Sequence, residues 1–248
     1  EIGDLSTTLR DMTETLWDRM DAIERFAADV AHEIKNPLTS LRSAVETATR
    51  LKDPERQRRL MEIIAEDVQR MDRLISDISD YSRMDAELSR AETEEVDLRA
   101  LLQTLCELSN ADASGPRIKV SVPENLIVPA LESRLAQVFR NLISNAITFT
   151  PDGGTVRVRA WRDRDEAEVT VEDDGPGIPP GKEEAIFNRF YTERPSGEKF
   201  GQHSGLGLSI SKRIASAHNG DLTASNRILD DEVKGAMFTL RLPLEDGV

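Results

Sequence analysis

The chain has 248 residues, 46 acidic against 32 basic side chains and a formal net charge of -14. That length admits one large or two ordinary domains, the 38% hydrophobic and 31% charged residues exclude a disordered polymer, and the negative sign excludes a nucleic-acid binder, which needs clustered Lys and Arg against phosphates. Cys106 is the single cysteine, so no intrachain disulfide can form. No apolar run approaches the roughly 18 residues of a membrane span and no signal peptide opens the chain, so it reads as soluble and suited to a reducing cytoplasm.

Glycine and proline are unevenly spread. Before Gly115 the only glycine is Gly3 and the only prolines are Pro37 and Pro54. Because both residues break helices, the first hundred or so positions read as long helices and the rest as alternating strands, helices and turns, with a boundary near Ala91 to Val96. Ile2, Leu5, Leu9, Met12 and Leu16 recur at steps of three and four, the seam of a two-stranded coiled coil. The pattern continues through Ile23, Phe26, Val30, Leu38, Leu41, Val45 and Ala48, then stops at Lys52-Asp53-Pro54. Asp53 can cap a second helix whose first position is Pro54, where a missing N–H costs nothing. Its seam runs Leu60, Ile64, Met71, Leu74, Ile78, Tyr81. One antiparallel hairpin leaves both stripes half exposed, whereas two paired hairpins make a four-helix bundle. A plain dimerisation bundle would explain every apolar position here.

Beyond the boundary, residues 98–108, 131–147 and 206–217 read as helices. Residues 155–161 and 168–172 show the period of two of half-buried strands, joined by a turn at Arg164, Asp165 and Glu166. Residues 117–122 and 236–242 read as further strands. The sum is an α/β sandwich with helices on one face of a mixed sheet.

Four clusters carry chemistry. His32 is followed by Glu33, which can accept a proton from one imidazole nitrogen and leave the other free to attack. Asn36 lies one turn later on the same side, and Pro37 should bend the helix beside the histidine. A lone helical histidine is otherwise an ordinary polar surface residue. Asn141 and Asn145 are four apart on one helix, so both amides face one space and could share an ion or a phosphate, or could both be exposed. Asp173-Asp174-Gly175-Pro176-Gly177 follows a strand: its glycines let backbone approach a ligand, and a carboxylate there can accept from an exocyclic amine, although Asp-Gly turns are common. Finally Ser204-Gly205-Leu206-Gly207 runs into a helix and presents N–H groups and the positive dipole end to an anion such as a triphosphate. The preceding 194–202 is polar and reads as a mobile lid or an idle surface loop.

Taken together the chain resembles the cytoplasmic half of a two-component sensor histidine kinase. The histidine box is His32-Glu33-x-x-Asn36-Pro37 and the asparagine box Asn141 to Asn145. The first glycine box is Asp173 to Gly177, the phenylalanine box Phe187-Asn-Arg-Phe190-Tyr191, and the second glycine box Gly205-Leu-Gly207-Leu. The opening Glu1-Ile-Gly3-Asp4-Leu5 is similar to the last helix of a HAMP relay, which would make this the cytoplasmic portion of a bacterial inner-membrane receptor, tied to the membrane only through segments upstream.

The resemblance implies an all-α antiparallel hairpin that forms a four-helix bundle on dimerisation, followed by an α/β sandwich of the Bergerat (GHKL) type. It divides the chain into a HAMP-like helix (1–22), a dimerisation and phosphotransfer domain (23–92) and an ATP-binding domain (93–248). It implies ATP and Mg2+ as cofactors. Asp173 would take the adenine amine with Gly175 and Gly177 beside it. Asn145 would coordinate magnesium with Asn141 in support, and Ser204, Gly205, Leu206 and Gly207 would hold the phosphates. His32 would attack the γ-phosphorus with Glu33 drawing off its proton, and Asn36 would place a water for dephosphorylation. Implied partners are a second copy of the chain and the receiver domain of a response regulator, docking near Leu41 and Arg42. Two positions depart from the pattern: Thr148 and Thr192 stand where basic residues are usual, so Arg140, Arg194 or Lys199 would supply the charge. The competing expectations are a GHKL clamp ATPase without phosphohistidine and a nucleotide-sensing module. His203 and His218 are expected to be structural and Cys106 a small apolar filler.

Overall fold

The computed structural model describes residues 2–51, 53–88, 93–110, 115–191 and 204–244. They form two compact units, the first built on residues 1–79 and the second on 80–196 and 205–248.

In the first unit α1 (Ile2–Arg50) runs unbroken through Pro37, and α2 (Pro54–Leu88) begins at the proline expected to start it. The turn between them is held by its own polar groups. Asp53 Oδ1 accepts from the Glu55 N–H at 3.0 Å, and the Asp53 carbonyl accepts from the Gln57 N–H at 3.0 Å. The Gln57 amide then donates to the carbonyls of Leu51 (2.7 Å) and Ala48 (3.2 Å), which the end of α1 leaves without helical partners. Pro37, Ala44, Ala48 and Leu74 are buried. The seven-residue gap in the second seam, between Ile64 and Met71, holds Asp67, whose Oδ2 is buried and has no hydrogen-bond partner among the described residues. Leu38 and Val45 on α1, and Met61, Val68 and Ile75 on α2, form a second stripe at steps of seven and stay exposed. Met12, Leu16 and Ile23 of the opening seam are exposed as well, as are Trp17 and Met20 beside it.

The second unit contains β1 (Glu94–Asp97), α3 (Leu98–Ser109), β2 (Arg117–Ser121), β3 (Ile127–Ala130), α4 (Glu132–Phe149), β4 (Thr155–Asp163) and β5 (Glu166–Glu172). A short 3-10 turn (Ala185–Phe187), α5 (Gly207–Ala217), β6 (Asp221–Leu229) and β7 (Glu232–Pro243) complete it. Five strands form one mixed sheet in the order β2-β4-β5-β7-β6; β2 and β4 are parallel and the other pairs antiparallel. β1 and β3 make a separate antiparallel pair. Three strands, β1, β3 and β6, add to the four expected, and β7 starts four residues earlier than the alternation indicated. The helices bury one side each: Leu98, Leu101, Leu102 and Leu105 on α3, Leu135, Val138, Phe139, Leu142 and Ile143 on α4, and Ile210 and Ile214 on α5. Each such side chain contributes roughly 1.5–3 kcal/mol.

His218 closes α5 and is 6% exposed. Its Nδ1–H donates to the Ile214 carbonyl at 2.8 Å, which leaves Nε2 to accept from the Leu131 N–H at 3.0 Å and so ties the end of α5 to the start of α4. Cys106 is buried in α3, and that burial pushes its thiol up to about 11, leaving an inert apolar group. No helix among the described residues is long and apolar enough to cross a membrane.

Candidate functional site

The pairing of β5 with β7 runs one residue past the strand. Asp173 N–H donates to the Ala236 carbonyl at 3.0 Å, while its Oδ1 accepts from the N–H groups of Ala236 (3.0 Å) and Gly175 (2.8 Å). Oδ1 is therefore fully committed to backbone, and Oδ2 has no partner among the described residues. The side chain is 3% exposed. Burial raises its pKa; the two N–H bonds and the Arg227 charge pull it back only in part, and the charge of Asp174 adds to the rise. Gly175 is demanded by space, since a Cβ there would lie 2.7 Å from the Phe149 carbonyl.

Asp174 has the opposite surroundings. It accepts from Arg157 Nη1 at 2.8 Å, from the Thr155 N–H at 2.9 Å, and from Arg227. Burial alone would raise its pKa, but the Arg157 and Thr155 hydrogen bonds and the charges of Arg157 and Arg227 outweigh it and hold the carboxyl low. Of two adjacent carboxylates, Asp174 is a fixed brace and Asp173 keeps one oxygen without a hydrogen bond among the described residues.

The asparagines on α4 also divide their work. Asn141 Nδ2 donates to the Gly207 carbonyl at 3.1 Å and to Ser211 Oγ at 3.3 Å, so it anchors the first turn of α5. Asn145, one turn on, is half-buried and has no hydrogen bond among the described residues. Leu206, at the capping position before α5, offers no side-chain cap, which leaves the N–H groups of the first turn unpaired by the helix. Gly205 sits in the left-handed region at φ 75. Its carbonyl accepts from Phe190 N–H at 2.9 Å, joining the phenylalanine box to the second glycine box. Phe187 packs edge-on against Phe238 with centroids 6.4 Å apart, and Lys212 lies 4.8 Å above its ring. Thr148, where a cation was expected, turns its hydroxyl to the Ser144 carbonyl at 2.9 Å. Arg140 is exposed on a cleft shared with Ser133, Gln137 and Asn141. Thr192, Arg194, Lys199 and His203 lie outside the described residues, as does the expected lid at 194–202.

On α1, in the other unit, His32 and Asn36 are exposed and Glu33 is half-buried. Glu33 reaches across the hairpin to Arg70 of α2 at 3.5 Å, a pair with only 24% and 13% of its side chains exposed. Arg70, Arg157, Asn226 and Arg227 escaped the sequence reading. None lies in one of the motifs, and β6, which carries Asn226 and Arg227, was itself not among the expected strands.

This lobe is of the class its fold and strand-end carboxylate define: residues 130–246 match the histidine kinase-, DNA gyrase B- and HSP90-like ATPases. Residues 22–87 match the His kinase A phospho-acceptor domain. The chain belongs to the sensor histidine kinase family. It is 51% identical over 254 residues to the sensor protein ChvG of Rhizobium meliloti, covering 98% of this chain and 44% of that relative, so it spans under half of the relative's length. Among solved structures it is similar to the mycobacterial sensor histidine kinase MprB, with a TM-score of 0.54 and 30% identity over 61% of this chain and 97% of that one. It also resembles histidine kinase ThkA, solved in complex with response regulator protein TrrA (TM-score 0.69, 27% identity, 91% of this chain and 63% of that one).

Proposed function

We propose that the chain phosphorylates itself on His32 from ATP and passes the phosphoryl group to an aspartate of a response regulator, and that it also dephosphorylates that partner. The observation that carries this is an exposed imidazole beside a carboxylate, in a segment matching phospho-acceptor domains, on a chain that also holds a nucleotide-type lobe.

In the lobe, Asp173 Oδ2 accepts from the adenine amine, with Gly175 and Gly177 giving the base a close backbone approach. The first turn of α5, with Ser204, Gly205, Leu206 and Gly207, faces the phosphates with N–H groups and a positive dipole end. Asn145 would hold magnesium, with Asn141 keeping α5 in place beside it; a half-buried amide oxygen without a protein partner suits a hard cation that takes its other oxygens from phosphate and water. When bound, the ion neutralises charge on the transferring phosphoryl group. His32 attacks the γ-phosphorus in line through one ring nitrogen, the bond from that phosphorus to the bridging oxygen breaks so that ADP leaves, and Glu33 takes the proton from the other ring nitrogen. For that, Glu33 must exchange Arg70 for the imidazole. In dephosphorylation of the partner, Asn36 orients the water that attacks the aspartyl phosphate, releasing inorganic phosphate and restoring the aspartate carboxylate.

The exposed stripe of Leu38, Val45, Met61, Val68 and Ile75 supports a homodimer, in which a second hairpin covers it. Leu41 and Arg42 lie on the surface assigned to the receiver domain. We further propose the division at 1–22, 23–92 and 93–248, and attachment to a bacterial inner membrane through segments preceding residue 1. A clamp ATPase is disfavoured, because the only acidic residue on α4 is Glu132 in its first turn.

The test is labelling with γ-labelled ATP. Acid-labile, base-stable label that disappears in His32→Ala and moves to a receiver domain is expected. ATP turnover that survives His32→Ala without any labelled protein would refute the kinase.

A further inference from the structure

The hairpin of β6 and β7 does more than close the sheet. Its two-residue tip, Asp230 and Asp231, has φ of 53 and 59, the left-handed pair that matches the strand twist and fixes the register Leu229 to Glu232. Below that tip the ladder is irregular between Asn226 and Ile228. There the Asn226 side chain leaves its own sheet and grips the first glycine box. Oδ1 accepts from the Ile178 N–H at 2.6 Å, and Nδ2 donates to the Ile178 carbonyl at 2.8 Å. One amide thus satisfies both backbone groups of a loop residue 48 positions away, as a strand neighbour would.

The grip is close. Gly177 has φ 80, and a Cβ on it would meet Asn226 Oδ1 at 2.6 Å and Val233 Cγ1 at 2.3 Å. The neighbouring Arg227 donates to the Asp173 carbonyl at 3.2 Å and to the Lys234 carbonyl at 2.7 Å, and pairs with Asp174. The loop therefore has two supports. Asp173 and Gly175 are hydrogen-bonded from the β7 side, whereas at the other end, where the Ile178 side chain is buried, the hydrogen bonds to the Ile178 backbone come from Asn226. Without the amide, the N–H and carbonyl of the buried Ile178 lose these partners, and the far end of the loop is held by apolar packing without that polar anchor.

We propose that Asn226 is a positioning residue for nucleotide: by holding Gly177 and Ile178 it preorganises the adenine end of the cradle, so ATP affinity depends on it far more than phosphoryl transfer does. This rests on the lobe binding ATP as proposed above, and the experiment separates the two.

The whole 248-residue chain is titrated with a non-hydrolysable ATP analogue by calorimetry. Initial rates of self-labelling against ATP concentration and thermal melting without nucleotide accompany it. Asn226→Ala is expected to raise Kd and KM about tenfold, equivalent to about 1.4 kcal/mol, while the rate at saturating ATP falls by much less. Asn226→Asp, which keeps the acceptor for Ile178 N–H but sets a charge against its carbonyl, is expected to weaken binding several-fold and provides the measurement should the alanine variant not fold. A lower melting temperature with Kd within twofold of the unsubstituted chain in either variant makes Asn226 a brace of the sheet only and overturns the proposal. An equal loss in the saturated rate and in affinity also overturns it. If the unsubstituted chain itself takes up no nucleotide, the ATP-binding reading fails first; if Asp173→Asn abolishes uptake and Asn226→Ala leaves it intact, only the Asn226 inference falls.

Discussion

Asp173→Asn should separate binding from folding. Oδ1 is the oxygen committed to Gly175 and Ala236, so the amide oxygen of the variant can keep both bonds. The amide nitrogen then replaces Oδ2 and opposes the adenine amine with a donor. A hydrogen bond to a charged group is worth about 1.5–3 kcal/mol, and at about 1.4 kcal/mol per factor of ten its loss, with donor set against donor, predicts a Kd for ATP about 100-fold higher. Stability should move the other way. The folded pKa of Asp173 is raised above 3.8, so its ionised form opposes folding once pH rises through that folded value, and removing the charge leaves the variant at least as stable at neutral pH. The same shift predicts that ATP affinity of the unsubstituted chain fades on acidification above pH 3.8, at a higher pH than for a free carboxylate. Calorimetric titration and urea unfolding of both proteins at pH 7.5 check this. A variant that binds ATP normally, or that loses more than about 2 kcal/mol of stability, refutes the assignment of the two oxygens.

Asp174→Ala should cost about 2–3 kcal/mol in urea unfolding, because Arg157, Arg227 and the Thr155 N–H lose a shared acceptor of which about a quarter is exposed to solvent. Since its folded pKa lies below 3.8, that contribution is complete above pH 3.8 and vanishes as pH falls through the folded value, so the two proteins should converge in acid. Asp67→Leu should stabilise the hairpin by about 1–2 kcal/mol, read as a higher melting temperature of the helical signal, because it fills a seam position now holding an unpartnered buried oxygen. His218→Ala should destabilise the lobe by about 2–3 kcal/mol in chemical unfolding, as it strips the acceptor from the Leu131 N–H and leaves a cavity.

Much of this architecture could be read before any coordinates. Two long breaker-free segments and the Asp53-Pro54 junction foretold α1 and α2, and alternation marked β4 and β5. β1 escaped because Glu-Glu-Val-Asp offers one apolar residue, Val96, and β3 because Pro129 argues against a strand. β6 is half-buried along most of its length, so its side chains show no clean period of two. At the site, Asp173, Asn141 and Asn145 were legible because each sits in a short motif with local chemistry. Their supports were not. Asn226 meets Ile178 only because β6, remote in the chain, lies beside the loop that follows β5, and Arg157 meets Asp174 only once the β4–β5 register is extended past the strand end, which the alternation of side chains does not fix.

The two units bury apolar surface very unequally: the hairpin encloses few large side chains of its own, whereas the lobe buries the apolar faces of three helices. Under the proposed pairing of two hairpins, the helix content of α1 and α2 would melt at a temperature that climbs with protein concentration, by mass action. The sheet would melt at one indifferent to dilution. A single midpoint quoted for this chain would then average an assembly equilibrium with a folding one.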